Sequence, residues 1–156
     1  MARHNKHNQT VGSKIDRDDN RIKSTGEVFT PMDVVYQMID EVPESLKRDP
    51  NSTFMDNSCG SGNFLYGLLT VLTEKYGHTK EHVVNNMIYG VDLMEDNIIE
   101  VCDRLGVPFG HPHFVVANGL KYHYRFDGSH PYDDESVATL DKFFSWTTYA
   151  HKLHYW

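Results

Sequence analysis

A short glycine loop that follows an acidic residue holds the residue types best suited to chemistry. Residues 54–64 read Phe-Met-Asp-Asn-Ser-Cys-Gly-Ser-Gly-Asn-Phe, so an apolar run ends at Asp56 and is followed by Gly60 and Gly62. Glycine lets the backbone approach a ligand that a Cβ would hold away. The free N–H groups at the start of a following helix favour a carboxylate or a phosphate. The pattern predicts a cofactor loop between a buried strand and a helix.

The spacing of the two glycines argues against both common nucleotide loops. A dinucleotide loop has a third glycine where this chain has Leu65, and no Gly-Lys-Ser/Thr follows to make a phosphate loop. An acid beside a short glycine loop suits a ligand whose ammonium faces Asp56 and whose carboxylate faces the loop amides. S-adenosylmethionine carries both groups and is the predicted cofactor.

A second strand pattern also ends in an acid. Residues 87–93 read Met-Ile-Tyr-Gly-Val-Asp-Leu. The Asp92 carboxylate has the acceptors to bind both ribose hydroxyls, and Leu93 is placed to pack on the adenine. Both acids therefore support the same cofactor.

Strand and helix patterns alternate along the chain, which predicts a parallel sheet covered by helices on both faces. The predicted helices are residues 32–47, 63–76, 79–86 and 95–105, and the predicted strands are residues 53–56, 88–92 and 114–117. Loops that follow parallel strands share one edge of the sheet, where ligands of open α/β sheets bind. The glycine loop and both acids are expected at that edge.

Three motifs in this order resemble the N6-adenine DNA methyltransferases, especially those of type I restriction-modification systems and related phage enzymes. They are Gly-Glu-Val-Phe-Thr-Pro at residues 26–31, the loop at residues 56–64 and Gly-Val-Asp at residues 90–92. The resemblance spans roughly residues 25–120 and departs from the family at Asn57, where proline is usual. It implies an α/β, three-layer Rossmann-like class I methyltransferase fold with a mostly parallel sheet.

The resemblance also assigns residues to the cofactor. The first motif covers the methionine end, the loop forms the floor, and the acid of the second strand binds ribose. After the third strand, Asn118 stands where the family often has an acid that contacts the adenine amino group, and its side-chain oxygen can accept the same bond. The residues implied in this way are Glu27, Phe29, Thr30, Asp56, Cys59, Gly60, Gly62, Asp92 and Asn118.

The catalytic motif of that family, Asn-Pro-Pro followed by Tyr or Phe, does not occur in this chain. In the motif, the Asn side chain and a proline carbonyl accept hydrogens from the adenine amine, and the aromatic ring stacks on the flipped base. The nearest remnant has Pro131 and Tyr132 for the carbonyl and the ring, with Ser129 in place of the asparagine. Losing one such acceptor costs about 10²–10³ in rate. The alternative is that this stretch is an ordinary polar turn.

Length and charge limit what the chain is expected to do alone. Only 36 residues follow Leu120, too few for four more strands when a βαβ unit takes about 30 residues. The expectation is a flexible polar arm at residues 1–24 and an incomplete methyltransferase-like domain at residues 25–156. The arm holds six basic and three acidic residues of a chain with net charge −7, which leaves −10 for the rest. An acidic body argues against tight independent DNA binding.

Composition predicts the remaining properties. No apolar run approaches the roughly 18 residues of a membrane span and no signal peptide is apparent, so a cytoplasmic location is expected. The two cysteines imply no disulfide framework. His111, His113 and His123 lack recognised metal-ligand spacing and are expected to bind no metal, with the last two at the surface. The aromatic segment 140–156 is expected to cover the sheet and self-associate, with docking of a partner subunit as the alternative.

Two function classes remain open at this point. The first is an S-adenosylmethionine-dependent methyltransferase acting on adenine N6, alone or with a partner subunit. The second is a catalytically degenerate protein that binds the cofactor as a subunit, a regulator or a sequestering decoy. Cleavage of S-adenosylmethionine is a third reading that no residue specifically requires.

Overall fold

The computed structural model describes residues 30–128 and 153–155. The helices are α1 (Met32–Asp40), α2 (Glu44–Arg48), α3 (Asn63–Glu74), α4 (Lys80–His82) and α5 (Glu95–Leu105), with a π-helical turn at Val83–Met87. The strands are β1 (Thr53–Asp56), β2 (Ile88–Asp92), β3 (Phe114–Val116) and β4 (Leu153–Tyr155).

The four strands form one parallel sheet in the order β3-β2-β1-β4. In the register, Phe54 pairs with Ile88 and Asp92 pairs with Val116. Strands β2 and β4 lie on opposite sides of β1, so the direction of winding changes there, and such a switch point opens a crevice at the carboxyl ends of the strands. The predicted α/β, Rossmann-like parallel fold is confirmed in an incomplete form.

Alternate side chains of the strands build the core on the first face of the sheet. Phe54, Ile88 and Phe114 are fully buried among apolar side chains of α1, α3 and α5. A period of two along a strand sends these residues to one face, and each buried side chain of this size contributes about 1.5–3 kcal/mol. The α3 and α5 crossovers therefore fix β1, β2 and β3 relative to one another.

Aromatic side chains cover the second face. Met55, Val91 and Val115 pack against buried Tyr122 and Tyr124, with half-buried Phe126 beside them. We call residues 121–126 the aromatic strap. Within the residues that the structure describes, this irregular segment stands where a second helical layer was predicted.

The aromatic strap is not the half-buried strand that its alternating sequence suggests. Tyr122 and Tyr124 turn inward as that pattern requires, but the strap belongs to no strand of the sheet. Tyr124 and Phe126 have φ values of 53° and 50°. This left-handed conformation interrupts an extended backbone, so the burial alternates without strand pairing.

Sequence signals placed most helix ends correctly. Helix α5 has its predicted bounds and stops at Gly106, whose φ is 70°. Thr79 caps α4 by accepting a hydrogen bond from the His82 N–H at 3.1 Å. Gly77, with a φ of 76°, follows the end of α3. Glycine is favoured at such positions because a left-handed φ costs it little.

The single helix predicted over residues 32–47 is wrong, because helical structure is interrupted between α1 and α2. Pro43 has no N–H to donate and disfavours a helical conformation in the residue before it. Lys47 satisfies a backbone carbonyl near this interruption, because its buried ammonium donates to the Ile39 carbonyl at 3.1 Å. A cation at a helix C-terminus is also favoured by the helix dipole.

Several predictions fall outside the described residues. They concern the arm at residues 1–24, the remnant at residues 129–132 and most of the aromatic segment 140–156. Of that segment, the backbone of Leu153–Tyr155 pairs with β1 as β4. No helix in the described part of the chain has the length and apolarity needed to cross a membrane.

Candidate cofactor site

The glycine loop folds onto the carboxyl end of the neighbouring strand. The Cys59 N–H donates to the Val91 carbonyl at 3.0 Å, and the Gly60 N–H donates to Asp92 Oδ2 at 2.9 Å. Because β1 and β2 are parallel neighbours, their terminal acids Asp56 and Asp92 reach the same edge of the sheet. The sequence-predicted loop and both acids therefore lie together.

The Asp92 carboxylate organises the loops of this edge. Besides Gly60, it accepts from the Met94 N–H at 2.9 Å and from Asn97 Nδ2 at 3.0 Å. Asp92 is only 8% exposed. A carboxylate offers about four acceptor positions, so three protein donors leave room for about one ribose hydroxyl rather than the bidentate pair expected from sequence.

Asp56 is a carboxylate in an unfavourable setting. Burial raises its pKa to about 6, and the nearby Asp92 charge adds to the rise. The Ser58 N–H, which donates to Asp56 Oδ1 at 3.1 Å, opposes it only in part. A bound cation would stabilise the ionised form, so the position suits a ligand ammonium.

Four amides of the loop are already bonded within the protein. The N–H groups of Ser58, Cys59 and Gly60 have the acceptors given above, and the Gly62 N–H donates to the Cys59 carbonyl at 2.9 Å. A ligand carboxylate bound at this edge would therefore face the first turn of α3, where backbone N–H groups have no acceptor within the helix. That helix begins after Gly62, which has no side chain to cap it.

The two glycines of the loop have different roles. A Cβ at Gly60, whose φ is 53°, would meet no atom of the described residues within 4 Å. A Cβ at Gly62, whose φ is 82°, would lie 2.8 Å from Val101 Cγ2 of α5. Gly60 thus borders open space that a ligand can enter, whereas Gly62 permits close packing of the loop on α5.

Cys59 belongs to the floor of the loop through packing. Its side chain is buried, and its sulfur lies 3.2 Å from the position that a Cβ on Gly90 would take. Burial, together with the charges of Asp56 and Asp92, keeps the thiol pKa well above its usual value. The thiol is therefore protonated at neutral pH and is not a nucleophile.

A bridge that sequence reasoning missed brings Thr30 to the glycine loop. Asn63 Nδ2 donates to the Thr30 carbonyl at 2.9 Å. Arg104 Nη1 donates to Asn63 Oδ1 and to the Ser61 carbonyl, both at 2.8 Å, and its guanidinium lies 5.0 Å from the Tyr66 ring centroid. An asparagine after a glycine and an arginine near a helix end are common features, so neither stood out in the sequence.

The loop after β3 closes the other side of the edge. A Cβ on Gly119 would collide with the Asn57 carbonyl, and the Tyr124 hydroxyl donates to the Gly119 carbonyl. Asn118 is exposed, and its Oδ1 accepts from the Leu120 N–H at 2.9 Å. Asn118 therefore lies beside the loop that follows β1, with one lone pair of its oxygen used in a turn.

The structure brings most of the predicted cofactor residues to one edge. They are Thr30, Asp56, Cys59, Gly60, Gly62, Asp92, Leu93 and Asn118. Leu93 is 63% exposed there. Glu27, Phe29, Ser129, Pro131 and Tyr132 lie outside the described residues. The ligand contacts themselves stay predictions.

His113 is buried rather than at the surface as predicted. Its Nδ1–H donates to the Ile88 carbonyl at 3.1 Å, and its ring stacks on Tyr89 with centroids 3.9 Å apart. Burial lowers its pKa to about 4, so the imidazole is neutral. In the described ranges, no group of three or more His, Cys, Asp or Glu side chains is arranged to hold a metal ion.

One comparison with known proteins covers this part of the chain. The model of the N-6 DNA methylase family matches residues 17–102, more than half of the 156-residue chain. The match contains the glycine loop, both strand-end acids and α1. No curated protein matches the chain.

Proposed function

The chain belongs to the N-6 DNA methylase family, and from this premise we propose that it binds S-adenosylmethionine and methylates adenine N6 in DNA, alone or with a partner subunit. The observation that carries the proposal is the hydrogen bond from the Gly60 N–H to the Asp92 carboxylate at 2.9 Å. It joins the glycine loop to the acid of the second strand at one sheet edge. The fit of the remaining groups supports it.

Each part of the cofactor has a complementary group at this edge. The ammonium suits Asp56, whose pKa is raised by burial and by the Asp92 charge, because a bound cation would favour its ionised form. The ligand carboxylate suits the start of α3. One ribose hydroxyl suits Asp92, and the adenine fits between exposed Leu93 and the loop of Asn118. Glu27, Phe29 and Thr30 would close over the methionine end.

Bound there, S-adenosylmethionine supplies an electrophilic methyl carbon. The adenine amine needs its lone pair freed from the ring, and acceptors for its hydrogens help to free it. We assign those acceptors to the Pro131 carbonyl and the Ser129 hydroxyl, with Tyr132 stacking on the flipped base. Transfer would form the N6–C bond as the C–S bond of the cofactor breaks, and the amine would then lose one proton to solvent.

A catalytically degenerate cofactor-binding protein is the second candidate. Ser129 stands where the catalytic motif has asparagine, and no Asn-Pro-Pro sequence occurs in the chain. A hydroxyl is shorter than an amide and is itself a donor, so it is a poorer acceptor for the amine. Such a protein would bind S-adenosylmethionine without transferring the methyl group.

Calorimetric titration with S-adenosylmethionine, followed by a methyl-transfer assay on adenine-containing DNA, tests both candidates. We expect saturable binding, weakened in Leu93→Ala by about 1–2 kcal/mol through lost apolar contact. Ile99→Ala is the matched control, because Ile99 is also an exposed aliphatic residue at 48%. Equal affinity of the two variants would place the adenine elsewhere.

Tyr132→Ala separates the enzyme from the binder. If the proposal holds, it abolishes transfer and leaves cofactor affinity unchanged, while Tyr132→Phe retains stacking and most of the activity. Binding without transfer in the unaltered chain, with or without DNA, would favour the degenerate protein. Absence of binding at millimolar ligand would contradict both.

A further inference from the structure

One part of this acidic chain contains no acid. The net charge is −7, yet no Asp or Glu occurs between Asp103 and Asp127. This acid-free stretch carries Arg104, Lys121 and Arg125 together with three histidines. Its second half forms the loop after β3 and the aromatic strap.

Basic side chains of the strap are exposed while its aromatic side chains are buried. Tyr122 is 2% exposed and Tyr124 is 5% exposed. Lys121 and Arg125 are exposed, and His123 between them is partly so. The strap therefore presents cations to solvent from a base of buried rings, which excludes its use as an aromatic platform for stacked bases.

The backbone that carries these cations is held at several points. The Asn118 carbonyl accepts from the N–H groups of Lys121 and Tyr122, both at 2.9 Å. The Tyr122 hydroxyl accepts from the Phe126 N–H at 3.0 Å, and the Tyr122 and Phe126 ring centroids lie 5.5 Å apart. Cations on an ordered backbone lose less conformational entropy on binding.

The strap begins at the candidate cofactor site. Gly119 lies against the Asn57 carbonyl, one residue beyond Asp56. Leu120, which follows Gly119 and directly precedes Lys121, is 65% exposed. An exposed apolar side chain beside exposed cations matches the alternation of base and phosphate in a nucleic acid strand.

We propose that Lys121 and Arg125 bind phosphates of the DNA strand that delivers adenine to this edge, with Leu120 packing on an adjacent sugar or base. The inference rests on the proposed function, which supplies the reason for DNA to approach this edge. The phosphate contact itself does not require methyl transfer. Two phosphate contacts give weak, salt-dependent affinity, consistent with an acidic body.

Fluorescence anisotropy with a 5′-labelled single-stranded oligodeoxynucleotide, titrated with the full chain from about 50 to 200 mM salt, tests the proposal. Lys121→Gln/Arg125→Gln is expected to weaken binding about tenfold or more at the lowest salt. It should also reduce the slope of log affinity against log salt by about 1.4, at about 0.7 per phosphate for a single strand. Leu120→Ala should weaken binding without changing that slope.

Two control pairs remove the same charge elsewhere. Lys75→Gln/Lys80→Gln alters exposed lysines at the ends of other helices, and Lys14→Gln/Arg17→Gln alters the basic arm. Both controls should keep the salt slope of the unaltered chain. An unchanged slope in the strap variant, a loss only in the arm variant, or no binding by the unaltered chain at low salt would each overturn the proposal.

Titrating the same preparations with S-adenosylmethionine separates this inference from the proposed function. The strap variant should bind the cofactor normally, since neither substituted side chain belongs to the candidate cofactor site. Strap-dependent DNA binding without cofactor binding would support the DNA-binding surface and contradict the proposed methyltransferase function. Cofactor binding and methylation with an unchanged salt slope in the strap variant would support the methyltransferase function and contradict the DNA-binding surface.

Discussion

Asp56 and Asp92 end neighbouring strands but experience different surroundings. Asp92 accepts three hydrogen bonds from protein donors, whereas Asp56 has the Ser58 N–H among its partners and a pKa raised to about 6 by burial. The first carboxylate holds the loops in place, and the second suits a ligand cation. Two acids of similar sequence context thus take separate roles because their environments differ.

The pH dependence of cofactor affinity follows from Asp56. If the ligand ammonium binds the ionised carboxylate as proposed, affinity should rise about tenfold between pH 5 and pH 7 for a pKa of about 6 and level off above it. Binding at pH 5 should release about one proton. Calorimetry in two buffers of different ionisation enthalpy measures both quantities.

Asp56→Asn should flatten that profile, while Asp40→Asn, at the exposed end of α1, should leave it intact. The effect of pH on the free energy of unfolding has the opposite sign. A folded pKa above the ordinary 3.8 means that the stability contributed by the protonated group is present below about pH 4 and is lost as pH rises through about 6. A pH-independent affinity would contradict the assignment of Asp56 to the ammonium.

Residues whose role depends on contacts between distant segments could not be predicted from the sequence. The acids and glycines were predictable because strand ends and loop turns have local signals. Asn63 and Arg104 gain their meaning only when α5 packs beside the loop and the Thr30 segment arrives from the other side. The burial of His113 likewise depends on Tyr89 of the neighbouring strand.

At the scale of elements, periodicity and end signals predicted the core units β1, α3, β2, α5 and β3 to within about two residues. The errors occurred where a local signal competed with another. Apolar spacing over residues 32–47 outweighed Pro43, which ends the helical run. In the strap, alternating polar and aromatic residues indicated an extended strand. They gave no sign of the two left-handed residues, whose φ values depend on how their rings pack.

Gly60→Ala and Gly62→Ala form a matched pair within one element. Both positions have positive φ, so each alanine costs about 1 kcal/mol in strain. Gly62→Ala should lose a further 1–3 kcal/mol, roughly, because its Cβ meets Val101. Chemical denaturation measures both losses, and equal stabilities of the two variants would contradict the packing role of Gly62.

Gly60→Ala should instead act on the ligand. Its Cβ points into open space, so most of the fold remains while the approach of the cofactor is obstructed. Calorimetric titration of both variants should therefore give the larger loss of affinity per unit of lost stability in Gly60→Ala.

At the scale of the molecule, the parallel sheet changes its winding direction at β1, and the candidate site lies at that strand's carboxyl end. A ligand that binds only the folded edge should stabilise the whole protein. At 100 times its dissociation constant, S-adenosylmethionine should add about 2.7 kcal/mol, or a rise of about 5–11 °C in Tm for a chain of this size. Differential scanning fluorimetry measures it.

Adenosine is the matched control ligand, because it lacks the ammonium and carboxylate that Asp56 and α3 are proposed to bind. It should stabilise the protein less at equal concentration. Equal shifts would indicate that only the adenosine half is recognised, and no shift with either ligand would contradict a preformed site.

The order of the strands also bears on how the protein folds. Strands β1, β2 and β3 are consecutive in the chain and adjacent in the sheet, joined by connections of about 30 residues or fewer. Contacts of short sequence separation form early because little loop entropy opposes them. Since β4 follows β3 by 36 residues, the edge that holds the candidate site can assemble during translation while β4 is still being synthesised.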